Sequence, residues 1–280
     1  MDPITLTAGP YRLVATPEGG GLLEFSIADG DRRRDILRPA GAVPAEPLDR
    51  AMIVMAPWCN RIGGGGFHVG DRFYAMSPNV AGFPMPLHGS AFQRRWAVIE
   101  QRIDLLELQL SVAGSPDFNY RADLVYALIS TGLSVELTAI NMGADAMPFG
   151  IGLHPWFASN DQTRVEFHAN RQVLTDTTGL PVRVSGVIQD FSTPHVLPAG
   201  RVDNTYLDWE GTALLHHEGS TVQLQSTAPI LHVFSPASSA GFCCLEPQTA
   251  VPNAANFGAD GGNLLSPGER MSVSMSISCA

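Results

Sequence analysis

Five short stretches of this 280-residue chain each set a polar or charged residue among apolar, glycine or proline neighbours. They are Pro57-Trp58-Cys59-Asn60-Arg61-Ile62, Pro86-Leu87-His88-Gly89, Gly152-Leu153-His154-Pro155-Trp156-Phe157, Val202-Asp203-Asn204-Thr205-Tyr206 and Leu245-Glu246-Pro247-Gln248-Thr249. Burying a charge without a partner is costly. Five isolated cases would be expensive, whereas one shared pocket lets the groups satisfy one another. The chemistry such a pocket offers is proton transfer, with His154 as a donor in a dry site. Each residue also has a structural reading. His154 can be a core ring with both nitrogens satisfied, and Glu246 can simply pair with Arg61. Asp203-Asn204 is also a good turn signal.

The remaining residue types narrow the chemistry further. Lysine is absent and all 17 basic residues are arginine. No Schiff-base, pyridoxal-phosphate or phosphate-loop lysine can exist. A Gly-x-Ser-x-Gly nucleophile elbow is missing, and Gly63 to Gly66 reads as a flexible turn because no phosphate-binding pattern surrounds it. The eight histidines show no His-x-His or His-Glu-x-x-His spacing, so no metal site is expected. His68, His168, His195, His216, His217 and His232 read as structural or surface residues. Cys59, Cys243, Cys244 and Cys279 form no Cys-x-x-Cys pair, and the adjacent pair reads as core packing. The net charge of −10 disfavours nucleic acid and an anionic membrane surface. The first residues show no basic region followed by an apolar one, so a reducing cytoplasm is the expected location.

These residues have to be positioned by strands. Met271, Val273, Met275, Ile277 and Cys279 alternate with serines, the period-two pattern of a strand with one buried face. Leu133 to Ala139 alternates in the same way. Trp96 to Val112 reads as two strands breaking near Gln101–Asp104, and Phe118 to Thr131 as another that turns at Gly132. Thr212 to Leu215 and Val222 to Gln225 flank Gly219-Ser220, a hairpin signal. Asp49 to Val54 reads as a short turn of helix. With 28 glycines, 21 prolines and 45% apolar residues, the chain suits many strands joined by turns. No composition shift marks a linker, so residues 1–280 read as a single all-β domain, a large antiparallel sandwich.

The five stretches, in this order, resemble the aldose 1-epimerase (galactose mutarotase) family. Asn60-Arg61 is similar to its Asn-Arg element, Leu87-His88-Gly89 to its first histidine motif, and His154-Pro155-Trp156-Phe157 to its His-Pro-Tyr-Phe motif. Trp156 replaces the tyrosine there and removes a phenolic donor. Asp203 falls where the family's sugar-binding aspartate would, and Leu245 to Thr249 is similar to the segment around its catalytic glutamate. The resemblance implies a galactose mutarotase-like β-supersandwich and a cofactor-free reaction on a small sugar.

In that reaction Glu246 would take the proton of the anomeric O1 hydroxyl, and His154 would protonate the ring oxygen O5. At ordinary pKa values, near ~4.3 and about 6.5, the first is ionised and the second close to working pH. The resemblance gives Arg61, His88, Asp203 and Asn60 the role of sugar contacts. Trp156, Trp58 and Phe157 offer apolar faces. Two other functions fit the same residues. A hexose 6-phosphate epimerase would need arginines at the pocket rim, for which Arg94 and Arg95 are the adjacent pair. A sugar-binding module would need no proton-transfer pair. Neither the particular aldose nor the oligomeric state is legible.

Overall fold

The alternating segments do form strands, because a strand sends successive side chains to opposite faces and one face must be buried. The computed structural model describes residues 2–41, 46–114, 118–257 and 263–279. Their regular structure is β-strand, apart from four short 3-10 turns. Two antiparallel sheets dominate. The first, of 11 strands, runs in the order Ile4–Ala8, Tyr11–Ala15, Leu22–Asp29, Arg32–Leu37, Gly152–Ala158, Phe242–Gln248, Ile230–Ser235, Val202–Leu207, Arg171–Thr175, Pro181–Gly186, with Met52–Met55 paired to Gly152–Ala158 and Leu22–Asp29. The second, of nine strands, runs His195–Val196, Arg164–Phe167, Thr212–His217, Ser220–Ser226, Arg270–Cys279, Gly132–Asn141, Tyr120–Ile129, Leu105–Val112, Ala97–Gln101.

The serine-alternating C-terminal segment pairs with Gly132–Asn141, placing Val273 opposite Leu137 and Met275 opposite Val135. Those side chains, with Leu124 and Tyr126, meet Leu13, Phe25, Leu153, Leu231 and Leu245 of the larger sheet in one buried cluster. Full burial of each such side chain stabilises by roughly 1.5–3 kcal/mol. The two strands expected between Trp96 and Val112 are Ala97–Gln101 and Leu105–Val112, and the Gly219 hairpin joins Thr212–His217 to Ser220–Ser226.

Asp49 to Val54 differs from its expected helical turn. A 3-10 turn covers Pro47–Asp49, and Met52–Met55 is a strand whose four residues are all buried. A short continuous apolar run carries no period that separates a buried strand from a helix. Pairing with Gly152–Ala158 decides the matter. The glycine turn at 63–66 is pinned, not loose. Gly63 N donates to Asn253 Oδ1 at 2.8 Å, and Asn256 Nδ2 donates to Gly66 O at 3.0 Å.

Candidate active site

Three central strands of the larger sheet present one face to the core and the other to a cavity. Cys243 and Leu245 join the main core, so Cys244, Glu246 and Gln248 point the other way. The same alternation turns Leu153 and Phe157 inward and leaves His154 and Trp156 on the outer face. The register then builds a grid. Trp156 lies opposite Cys244, Cys244 opposite Phe234, and Phe234 opposite Asp203. In the next row Glu246 lies opposite His232, and His232 opposite Thr205. Gly152 opposite Gln248 and Trp156 opposite Cys244 put His154 level with Glu246. Directly opposed residues bring their Cβ atoms to about 4.5–5.5 Å, so residues 92 positions apart become neighbours.

Over this grid lies a cavity of about 260 Å³, lined by Asn60, Arg61, His88, His154, Trp156, Asp203 and Glu246 among others. Both proton-transfer residues and five of the seven sugar-contact candidates meet there. Pockets for drug-sized ligands run to ~300–1,000 Å³, so this one suits a smaller polar molecule. Trp58 and Phe157 do not line it. Trp58 packs on Phe118 with ring centroids 5.7 Å apart, and Phe157 turns into the core, so neither offers a face to a ligand.

Loops supply the remaining groups. Asn60 adopts φ 55° and its Oδ1 accepts from both the backbone N and Nη1 of Arg61, each at 2.9 Å, so it aims the guanidinium. His88, at φ 58°, is followed by Gly89 at φ 77°. Asn79 clamps this loop, donating to the carbonyls of Leu87 and Gly89 and accepting from Leu87 N. A Cβ on Gly89 would sit 1.9 Å from Ala56 O. Gly89→Ala is therefore expected to destabilise the protein by about 2–3 kcal/mol. A lower urea midpoint at unchanged m-value would show it; an unmoved midpoint would mean that the loop yields.

His154 Nε2 lies 3.2 Å from Glu246 Oε1, and the two residues are 5% and 1% exposed. Glu246 Oε2 and His88 Nδ1 have no protein partner among the described residues. Buried polar atoms are normally paired; His154 Nδ1, Arg50 Nε, Trp58 Nε1 and the Gln248 amide also lack a partner among the described residues, and of these residues His88, His154 and Glu246 line the cavity, where a ligand can reach them. Burial, reinforced by His88 and His232, pushes His154 well below its ordinary pKa. Burial raises Glu246 to about 7, against the opposing pull of His232. Both groups thus favour their neutral forms, contrary to the ordinary values assumed from sequence. His88 is lowered to about 3, by burial first and then by His232 and Arg61. It serves as a neutral hydrogen-bonding ring.

His232 corrects the sequence reading that left it as structural or surface. It is buried, lines the cavity, and its Nε2 lies 3.0 Å from Asp203 Oδ1, while Thr205 Oγ1 lies 2.8 Å from its Nδ1. Burial alone would lower its pKa, but Glu246 and Asp203 outweigh that and raise it. Asp203 is likewise held far below the usual carboxylate range. Burial works the other way, and the bonds from His232 and Arg201 with the charge of Arg61 win. Its Oδ2 accepts from Arg61 at 3.2 Å and from Arg201 at 2.6 Å. Asp203 lies in a strand, so the turn reading does not apply. The signal for His232 was present: a lone histidine inside Ile230-Leu231-His232-Val233-Phe234 repeats the pattern of His154.

Arg94 and Arg95, the adjacent pair available to a hexose 6-phosphate epimerase, do not line the cavity. Arg94 donates to Ser90 Oγ and Arg95 pairs with Glu18 at 3.7 Å. The arginines lining the cavity are Arg38, Arg61 and Arg201. Ligand atoms of His154, Cys244 and Glu246 lie within 4.8 Å of one another, a grouping that spacing did not suggest. Burial, then Glu246, push the Cys244 thiol well above its ordinary pKa. It stays protonated, which disfavours metal ligation.

The aldose 1-epimerase family model matches residues 2–278. The chain belongs to the aldose 1-epimerase family. It is 30% identical over 294 aligned residues to the uncharacterized protein YphB of Escherichia coli (strain K12), covering 99% of this chain and 98% of that protein. A crystal structure of an Escherichia coli K12 protein, described provisionally as an aldose 1-epimerase, matches with a TM-score of 0.91 at 27% identity, over 100% of this chain and 99% of the other. A galactose mutarotase-like protein from Clostridium acetobutylicum shares the fold at 21% identity, with a TM-score of 0.86 over 99% of this chain and 95% of that one. The two-sheet architecture is thus the galactose mutarotase-like β-sandwich expected from the family resemblance. Among the described residues no helix is long and apolar enough to cross a membrane.

Proposed function

We propose that the chain is an isomerase that interconverts the α and β anomers of an aldose, with Glu246 as base on O1 and His154 as acid on O5. The observation that carries this reading is the 3.2 Å contact between His154 Nε2 and Glu246 Oε1 inside the cavity. O1 and O5 are bonded to the same carbon, so an acid and a base serving them must be near neighbours. As Glu246 removes the O1 proton and His154 delivers one to O5, the C1–O5 bond breaks and an open-chain aldehyde forms. Rotation about C1–C2 presents the other carbonyl face. Closure reverses both proton transfers and yields the other anomer. No electrons leave the substrate, so the chemistry asks for no redox cofactor.

The buried pair suits this cycle. Ring opening draws on the imidazolium–carboxylate arrangement, the one that burial disfavours, and leaves imidazole and carboxylic acid, the one it favours. Both states carry one proton to be shared, and they differ only in where it sits. A buried ion pair gains little net energy once its desolvation is counted. Neutralising it as the ring opens offsets part of the cost of making the scarce aldehyde. Arg61, aimed by Asn60, and neutral His88 hydrogen-bond sugar oxygens, and Asp203 orders Arg61 while keeping acceptor capacity for a hydroxyl. Trp156, stacked on His154 with centroids 3.9 Å apart, fixes the acid ring. Four unpaired cysteines, three of them buried, fit a reducing compartment.

Anomer exchange on fresh α-anomer, followed by polarimetry or NMR, tests the proposal; no acceleration over buffer would overturn it. The pH profile has a determined sign. The pair titrates as a unit, and its working state holds one proton. Adding a second charges His154, which burial resists until well below its ordinary pKa. Losing the last one deprotonates Glu246, whose pKa is raised to about 7. The ratio kcat/KM is therefore expected to stay level through mildly acidic pH. Above neutrality it falls by about tenfold per pH unit, reporting the free enzyme's groups. A rate still rising beyond neutral pH would contradict this assignment.

A further inference from the structure

Glu246 has an imidazole on either side. Phe242–Gln248 lies between Gly152–Ala158 and Ile230–Ser235. One row across these strands therefore reads His154, Glu246, His232. The proposed reaction employs only the first of the two rings. The second is 3% exposed and lines the same cavity.

Both nitrogens of His232 are engaged. Nε2 lies 3.0 Å from Asp203 Oδ1, and Nδ1 lies 2.8 Å from Thr205 Oγ1. An ionised carboxylate only accepts, so Nε2 carries a proton. A hydroxyl oxygen can accept as well, so a second proton on Nδ1 also has a partner. The titratable and charged groups facing the ring are Glu246 and Asp203 from the two flanking strands, His154 beyond Glu246, and Arg61 and His88 from the loops. The two carboxylates favour a cation here, and the one opposing guanidinium, Arg61, is itself paired with Asp203. The pKa of His232 is raised in the same sense, against burial.

Separation decides what that charge does. Neighbouring strands lie about 4.8 Å apart, so His232 is one spacing from Glu246 and two from His154. Coulomb energy falls with distance. A cation at His232 therefore favours the Glu246 carboxylate more than it disfavours the His154 imidazolium. Ring opening draws on that imidazolium–carboxylate arrangement, which burial makes scarce. A neighbouring imidazolium raises its population.

We infer that His232, held as an imidazolium between Asp203 and Thr205, is a positioning residue that keeps Glu246 ionisable as the base. It acts through Glu246 and not on the sugar. The inference rests on the anomer-exchange reading for its effect on rate, whereas the charge on the ring stands apart from that reading.

Nitrogen-15 NMR of the wild type reads the charge directly. Both ring nitrogens of His232 are expected to be protonated at pH 7, where a free histidine is mostly neutral; a singly protonated ring would overturn the inference. His232→Gln keeps a donor toward Asp203 but no charge. It is expected to lower kcat/KM at neutral pH about tenfold and to move the alkaline fall of the profile, with the carbon-13 titration of Glu246, upward by about one pH unit or more. An unchanged rate and profile would make His232 a brace for Asp203 and overturn the inference. Thr205→Val, alike in shape but without an acceptor for Nδ1–H, is expected to shift both readouts the same way and less, and serves if the glutamine variant does not fold. If the wild type accelerates no sugar, the epimerase reading fails, and the two NMR titrations still decide whether His232 is charged and holds Glu246 down.

Discussion

Glu246→Gln is expected to slow anomer exchange by about 10²–10⁴-fold, the contribution typical of one positioned proton-transfer group. Glutamine keeps the shape and one carbonyl acceptor but cannot take the O1 proton. The substitution is not expected to unfold the protein. Glu246 is 1% exposed and its pKa is pushed up to about 7, so the folded state disfavours the carboxylate. Replacing it with a neutral isostere removes that burden. A thermal melt should show Tm unchanged or slightly raised, and sugar titration followed by NMR should show affinity within a few-fold of wild type. A variant that exchanges anomers at the wild-type rate would remove Glu246 from the chemistry. One that loses rate and sugar affinity together would assign it to binding.

The strand-to-strand framework was legible wherever one face is buried and the other wet. Met271 to Cys279 and Leu133 to Ala139 show it, and they pair with each other. Met52–Met55 was misread because both its faces are covered, which erases the period. The site was legible as a set of anomalies, since each polar residue in an apolar setting implied a partner. Which partner was not legible. Glu246 meets His154 and His232 because Gly152–Ala158, remote in sequence, lies beside Phe242–Gln248, which pairs on its other side with Ile230–Ser235. That order is a property of the whole sheet. Arg38 and Arg201 escaped notice because arginines in polar surroundings look solvated until Trp156, Phe242 and Phe234 are placed beneath them. The charge states were hidden for the same reason. Ordinary pKa values describe groups in water, and the desolvation that reverses them is set by packing around the cavity.

His154→Gln tests the same pair from the other side, and its largest consequence lies in how it combines with the first substitution. Alone it is expected to lower the rate about 10²–10⁴-fold, because the glutamine amide can hydrogen-bond O5 but cannot give it a proton. If acid and base acted independently, the double variant His154→Gln/Glu246→Gln would lose the product of the two factors. They do not act independently here. With Nε2 and Oε1 at 3.2 Å and one proton shared between them, removing either partner already stops the exchange between the two protonation states of the cycle. The double variant is therefore expected to be little slower than the worse single one, as found for groups that act as a unit. The pH profile gives a second readout that a merely structural histidine would not move. Without the imidazole, the remaining carboxyl acts only when ionised. Residual kcat/KM should therefore rise with pH through the carboxyl's titration, where the wild type falls. Multiplicative losses, together with an unchanged profile in His154→Gln, would show two separate groups rather than one proton passed back and forth.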